Sequence, residues 1–336
     1  MANRDRTISV KIEKLNSAGV LIETRQDKLI TGKIDVSPGY VRRKCSFDLA
    51  EALPDDWIAH RWKLYYGYKG RDDADYTYVP LGVFIPINPK QTQKVGGFES
   101  SYQGIDKSKL FSDYEIPAPL YWASGTTVLS IIQYCAGVVG ETKLNIANDL
   151  GTIGADFTFE EGTTLAKVME TIISGRDAEW YYDPDGNLRV RNHVAATDIT
   201  PKLTLDPSDP IEINSEFEVN DDNYFNKVTI LGGKADTAIY RSTLTDAAAV
   251  ARAGGRTVSK FFKNEGAVSQ AHTDAIAAYQ LKQGAQLPFT LRSETLVIPD
   301  LETGDVLKRL TRKFQVKTFN VPLGIGTQTV EAGEIL

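Results

Sequence analysis

Cysteine and histidine are scarce in this sequence, with two of one and three of the other among 336 residues. Cys45 and Cys135 lie too far apart for a metal knuckle and are too few for a disulfide framework, so both are read as buried, reduced thiols. No two of His60, His193 and His272 stand at a zinc-ligand spacing, and each is read as a surface or structural residue. Positive charge is also short: 38 Lys and Arg stand against 44 Asp and Glu, a formal net charge of −6, with no basic stripe. Nucleic-acid binders draw affinity from cations that neutralise phosphates, so sequence-specific nucleic-acid binding is not expected. No apolar run approaches the ~18 residues of a membrane-crossing helix. The polar start, Met1 to Arg6, has no apolar signal core. The expectation is a chain made in, and soluble in, a cytoplasm, with no membrane segment.

The motifs of common catalysis are missing as well. There is no Gly-x-Ser-x-Gly elbow, Walker loop or dinucleotide fingerprint. Gly137-Val-Val-Gly140-Glu-Thr-Lys143 has the wrong spacing for a phosphate loop and reads as a helix terminus. Asp183-Pro-Asp185-Gly186-Asn187 opens like a calcium loop, but the closing Glu of a twelve-residue loop is replaced by Val194, so a hairpin turn is the better account. Glu212, Glu216, Glu218, Asp221 and Asp222 form the densest acidic cluster and could supply paired carboxylates or a metal site, yet a solvated linker face explains them without special geometry. No catalytic, cofactor-binding or metal-ligating residue is assigned, and the chain is read as a non-enzyme needing no cofactor.

What is present is sheet-forming chemistry. Fifteen Tyr, 13 Phe and four Trp accompany many Val, Ile and Thr, which pack well on a pleated surface. The length exceeds a usual single core, so two or three are expected. From Ile8 to about Lys107 strands follow one another: Ile8 to Ile12, Val20 to Glu23, Leu29 to Val36, Cys45 to Leu49, then Arg61 to Tyr68 and Tyr76 to Asn88 around a charged hairpin tip, Arg71 to Asp75. Beyond Ile116-Pro-Ala-Pro119, a helical period in Val128, Leu129, Ile131, Ile132, Cys135 and Val138 predicts a helix capped by Thr126 or Thr127. A second, capped by Thr163 or Thr164, sets Leu165, Val168, Met169, Ile172 and Ile173 on one face. Glu179 to Asp183 and Asn187 to Arg191 flank a Pro184-Asp-Gly186 turn, a hairpin. Asp206 to Pro210 marks a boundary. Strands Asn226 to Leu231, Ala238 to Leu244 and Thr257 to Phe262 follow, then a helix from about Ala267 to Gln283 with Val268, Ala271, Ala275, Ala278 and Tyr279 on one face and Gly284 as its stop. Leu287 to Val297, Asp305 to Leu310, Phe314 to Phe319 and Thr327 to Ala332 complete a second barrel or sandwich. The fold class is α+β, mainly β. Residues 1–107 form a tube-like antiparallel β domain, 108–205 an α/β domain with two helices and a hairpin, and 206–336 a second tube-like β domain with one helix.

Asn226-Lys-Val-Thr-Ile-Leu-Gly232, the alanine-rich helix, and Leu296-Val-Ile-Pro-Asp-Leu-Glu-Thr-Gly-Asp-Val306 before the last hairpins resemble the baseplate hub (tail-tip hub) family of phage tails. Arg43-Lys-Cys-Ser-Phe47, Tyr65-Tyr-Gly67, Pro80-Leu-Gly-Val-Phe84 and Gly104-Ile-Asp106 resemble that family's first tube-like domain, which closes at the Gly-x-Asp signature. The resemblance spans nearly the whole chain, and the order of elements carries more of it than any motif. It implies a structural virion protein, assembled in the host cytoplasm, that forms a homotrimeric ring matching a hexameric tail tube and conducting DNA. The partners it implies are the tail tube or distal tail protein, the tape-measure protein, and a tip, spike or fibre protein. Many such hubs continue into a peptidoglycan hydrolase or fibre module. Here Leu336 follows the last expected strand, which implies a minimal hub or part of a longer protein.

The competing reading is a receptor- or glycan-binding tail protein that uses Trp57, Trp62, Tyr65, Tyr66 and Tyr68 as aromatic platforms. Alternation of Trp62, Leu64, Tyr66 and Tyr68 against Lys63 and Tyr65 favours a half-buried strand.

Overall fold

The computed structural model describes residues 6–147, 150–174, 176, 178–206, 211–219, 224–233, 239–267, 269–285 and 289–335. The N-terminal region is all strand: β1 (Thr7–Leu15), β2 (Leu21–Thr24), β3 (Leu29–Val36), β4 (Arg43–Leu49), β5 (Arg61–Lys69), β6 (Thr77–Lys94) and β7 (Gly97–Asp106). Alternation sets one face inward. Trp62, Leu64 and Tyr66 of β5 are at most 1% exposed, and Phe47 stacks on Tyr102 with Trp62 edge-on to both.

The middle unit contains α1 (Lys109–Ser112), β8 (Leu120–Trp122), α2 (Val128–Val138), β9 (Leu144–Ile146), β10 (Phe157–Phe159), α3 (Leu165–Ser174), β11 (Ala178–Tyr182) and β12 (Leu188–Asn192). Both expected helices are present. The Thr127 side chain accepts from Ser130 N at the head of α2, and Thr164 Oγ1 accepts from Lys167 N at the head of α3. Their apolar faces pack with Trp180, Tyr182, Leu188 and Val190 in one core. The Pro184–Gly186 turn joins β11 to β12 as a hairpin, with Gly186 at φ 77°. A Cβ on Gly186 would also lie 2.8 Å from Val83 Cγ2, so glycine is needed both for the turn and for its seat on β6.

The C-terminal region holds β13 (Leu203–Leu205), β14 (Glu212–Val219), β15 (Lys227–Gly232), β16 (Tyr240–Thr245), α4 (Ala247–Arg252), β17 (Ser259–Asn264), α5 (Gln270–Gly284), β18 (Phe289–Thr295), β19 (Val306–Arg309), β20 (Arg312–Pro322) and β21 (Gln328–Ile335). The chain is mainly β, with five helices among the described residues. The strands of both ends join one 13-stranded sheet of order β14-β18-β21-β20-β3-β4-β7-β6-β5-β1-β2, with β19 on β20 and β13 on β19. Pairing runs as an open path and closes no barrel among the described residues. One core lines it, from Val10 through Tyr102 to Leu291, Phe314 and Ala332.

Within this sheet the same path occurs twice. The order β3-β4-β7-β6-β5 has its counterpart in β14-β18-β21-β20-β19, each a first-second-fifth-fourth-third arrangement along the chain with every pair antiparallel. The sixth position differs: β1 pairs antiparallel with β5, whereas β13 pairs parallel with β19. The two copies of the path meet where Phe319–Pro322 of β20 pairs with Lys33–Val36 of β3.

Two expectations are corrected. Strands β15, β16 and β17 do not join the large sheet; they form a mixed three-stranded sheet covered by α5, with its own core of Phe225, Val228, Ile230 and Ala277. The buried face of α5 is Thr273, Ala277 and Gly284, while Ala271, Ala275 and Ala278 point to solvent, because alanine gives too little apolar contrast to reveal which side packs. Gly284 ends α5, but without a positive φ; an added Cβ would lie 2.2 Å from the Phe225 ring, so close packing requires this glycine. Ala238, Val268 and Leu287 lie outside the described residues, as do 207–210 of the expected boundary.

Candidate functional site

The densest arrangement of functional groups is a buried charge junction where the N-terminal strands, the middle unit and the turn before β19 meet. It begins at the neighbouring ends of β4 and β7. Asp106, the last residue of β7 and 1% exposed, accepts from Arg42 N and Arg43 N through Oδ2, each at 2.9 Å. Its Oδ1 accepts from Ser108 N at 3.1 Å and from the Ser108 hydroxyl. Burial pushes the Asp106 carboxyl above the ordinary range, although these donors favour the charged form.

The two arginines, each 2% exposed, diverge from that anchor. Arg43 donates to Tyr182 O at 2.5 Å and, through Nη2, to both carboxylate oxygens of Glu302. Arg42 donates to Glu179 Oε2 at 2.5 Å and lies 3.5 Å over the Tyr181 ring. Glu179 also takes Arg191 at 2.9 Å. Burial alone would raise the Glu179 carboxyl, but Arg42 and Arg191 outweigh it and hold it below the usual value. Lys107 donates to Gly186 O at 3.0 Å and pairs with Glu141, which also accepts from the Tyr182 hydroxyl at 2.9 Å. Burial pulls the Lys107 ammonium below its usual value against the pull of Glu141.

Arg42, Arg43, Lys107 and Arg191 are thus set against Asp106, Glu141, Glu179 and Glu302, and all four carboxylates are held by cations or backbone N–H groups. Such a cluster fixes the relative placement of three chain segments: Arg42, Arg43, Asp106, Lys107 and Glu141 are buried at its centre, while Glu179, Glu302 and Arg191 reach solvent at its rim. Three of the motifs that carry the resemblance converge here: Arg43 opens one, Asp106 closes the second, and Glu302 lies in the third. That convergence was not expected. The available signal was one charged residue at a strand end or turn in each motif.

The other singled-out residues fall elsewhere. His60 is buried, 3.3 Å from Asp56; His193 stacks on Tyr279 with ring centroids 5.4 Å apart; His272 lies in α5. Cys45 and Cys135 are buried free thiols, and burial raises both, Cys135 to about 12. Gly140 takes φ 71° just beyond α2, as a helix terminus requires, while the following Glu141 belongs to the junction. Asp183 accepts from Asp185 N, Asn187 N and Nδ2, and Arg189 Nε, so the turn's own donors occupy its carboxylate. The solvated-linker reading of the acidic cluster is overturned: Glu212–Val219 is the edge strand β14, and Glu212 pairs with Arg309 at 2.7 Å. The missed signal was the odd-numbered spacing of Ile213, Phe217 and Val219 among Glu212, Asn214, Glu216 and Glu218, the period of a strand. Asp221 and Asp222 lie outside the described residues. Among the aromatics weighed as glycan platforms, Trp62 and Tyr66 are core residues, and Trp57 and Tyr65 are half-buried. Among the described residues no three His, Cys, Asp or Glu are grouped to hold a metal ion, and no helix is long and apolar enough to cross a membrane.

No protein-family model matches the sequence, and no curated protein matches it. The fold, however, is shared with solved phage tail proteins over the whole chain. The tail protein from Neisseria meningitidis MC58 superposes with a TM-score of 0.70 at 16% identity, covering 97% of both chains. The 43 kDa tail protein of prophage MuSo2 from Shewanella oneidensis gives 0.65 at 12% identity, covering 97% of this chain and 98% of its own. The E. coli c3393 protein, a type VI secretion component described as similar to the T4 tail proteins gp27 and gp5, gives 0.52 at 8% identity, covering 92% of this chain and 74% of its own.

Proposed function

We propose that this chain is a structural hub at the tail tip or baseplate of a phage or related injection machine, and that it is not an enzyme. The observation that carries the reading is the whole-length fold likeness to tail proteins, with both chains covered almost completely. The hub forms a homotrimeric ring. Each copy contributes two sheet modules of the same strand order, so three copies offer six, the number that matches a hexameric tail tube. On this reading 1–107 and 206–336 supply the tube-like domains and 108–205 the α/β domain between them, with the charge junction holding the three in register.

The ring joins the tube or distal tail protein above to a tip, spike or fibre protein below, with the tape-measure protein inside and DNA passing through at ejection. A net charge of −6 suits a conduit that must release phosphates. Burial of Trp62 and Tyr66 in the core speaks against an aromatic glycan platform on β5. Electron cryomicroscopy of intact particles tests the reading. Three copies around the axis beneath a sixfold tube are expected; peripheral copies, or a monomer that binds sugar, would overturn it.

A further inference from the structure

The repeated path makes the junction between its two copies informative about surfaces left open. Within the chain, the second half of β20 pairs with β3 on the flank whose first half is taken by β19. The counterpart of β20 is β6, whose first half is taken by β5 as far as Phe84. Beyond Phe84 that flank has no strand among the described residues. The counterpart of β3 is β14, which among the described residues pairs only with β18. Val36 faces the first residue of β4 as Val219 faces the first residue of β18, so Lys33–Val36 corresponds to Glu216–Val219. Each long strand carries a register shift, and the first pairs beyond it are Thr318 with Glu331 and Lys90 with Ser101. Phe319–Pro322 therefore corresponds to Gln91–Lys94.

We propose that β14 of one copy adds to the free flank of β6 in the next, 216–219 against 91–94, repeating between copies the junction that β3 and β20 make within one. This deepens the ring reading and rests on it. A second copy is the occupant that exposure and charge favour, besides topology. Ile34 is 0% exposed at the internal junction, whereas Phe217, at the corresponding place on β14, is 43% exposed. Moreover β14 presents Glu216 and Glu218, and the exposed half of β6 presents Lys90 together with Lys94, which already pairs with Glu99 of β7, so Lys90 supplies the opposite sign; a contact of β14 with itself would set Glu against Glu. Main-chain hydrogen bonds supply strand addition, and the contact is head-to-tail, the kind that closes into a ring by rotation. It also removes two open sheet edges.

The test uses full-length chains carrying Thr92→Cys or Glu218→Cys, oxidised alone and mixed at high concentration. Position 92 faces 218 as Asn320 faces Asp35, and the native thiols are buried. A disulfide-linked dimer joining 92 to 218 is expected only in the mixture. As a second arm, Lys90→Glu with Lys94→Glu, and Glu216→Lys with Glu218→Lys, each weaken self-association roughly tenfold, and a mixture of the two charge-reversed chains regains it. Absence of the mixed 92–218 species, or charge-reversed chains that stay apart when mixed, overturns the proposal. An on-axis ring in particles joined through another face discards this contact and leaves the hub standing; a 92–218 link in a chain found at the tail periphery sinks the hub and keeps the contact.

Discussion

Arg43 and Glu302, 259 residues apart in the chain, meet as a guanidinium and a carboxylate beside the Tyr182 carbonyl. One contact thus ties the start of β4 to the turn before β19 and to the middle unit. The expected consequence of Arg43→Met is a loss of about 3 kcal/mol, because Glu302 and the Tyr182 carbonyl lose a donor that solvent replaces only in part. Denaturant unfolding checks this, and a cycle with Glu302→Gln should return a coupling well above that of an exposed pair.

That contact also shows where sequence reading stops. Period-two alternation made β1, β3, β5 and the late strands legible, and period 3.6 with threonine caps made α2 and α3 legible, because those signals are local. The meeting of Arg43, Asp106 and Glu302 is set by which strands become neighbours, and a single sequence carries no local trace of that. The strand β14 was hidden by its glutamates, which belong to an edge strand as readily as to a linker. The small sheet under α5 was hidden because β15 to β17 have the same alternation wherever they pair.

Asp106→Asn should cost about 2 kcal/mol. The carboxylate takes donors on both oxygens, and an amide keeps only one acceptor atom while turning a second donor toward backbone N–H groups. Thermal unfolding of the variant checks it. Asp106→Ala should cost at least as much, since Ser108 and two backbone groups then lose their partner in a site closed to water.

Acid should weaken the junction through Glu179. Its folded value lies below the unfolded one, so its contribution is complete above the unfolded value of about 4.5 and is lost as pH falls through the folded value. Asp183, also held low despite its burial, acts in the same direction. Asp106 has the opposite sign: its folded value is raised, so its contribution is largest below the unfolded value and falls as pH rises through the folded one. Stability measured against pH should therefore show a shallower acid limb in Glu179→Gln than in the parent.

Trp62→Ala should cost about 3 to 5 kcal/mol, as expected for deleting a large aromatic side chain from a packed core. The measurement separates two roles for the β5 aromatics. A binding platform would lose ligand and keep its fold, whereas a core residue loses fold first.

Gly284→Ala is the sharpest test of the small sheet. In an ordinary helix interior, alanine is favoured over glycine by about 1 kcal/mol, so a glycine serving merely as a stop would be replaced at little cost or with a gain. Here the new methyl would sit 2.2 Å from the Phe225 ring, and Phe225 belongs to the core beneath α5. Overpacking of that kind costs about 1 to 3 kcal/mol, enough to reverse the helix preference. Hydrogen exchange should quicken in β15, β16 and β17, while β20 and β21, which belong to the other core, keep their protection. Unchanged exchange in the small sheet would mean that Phe225 can move aside and that the glycine serves the helix end after all.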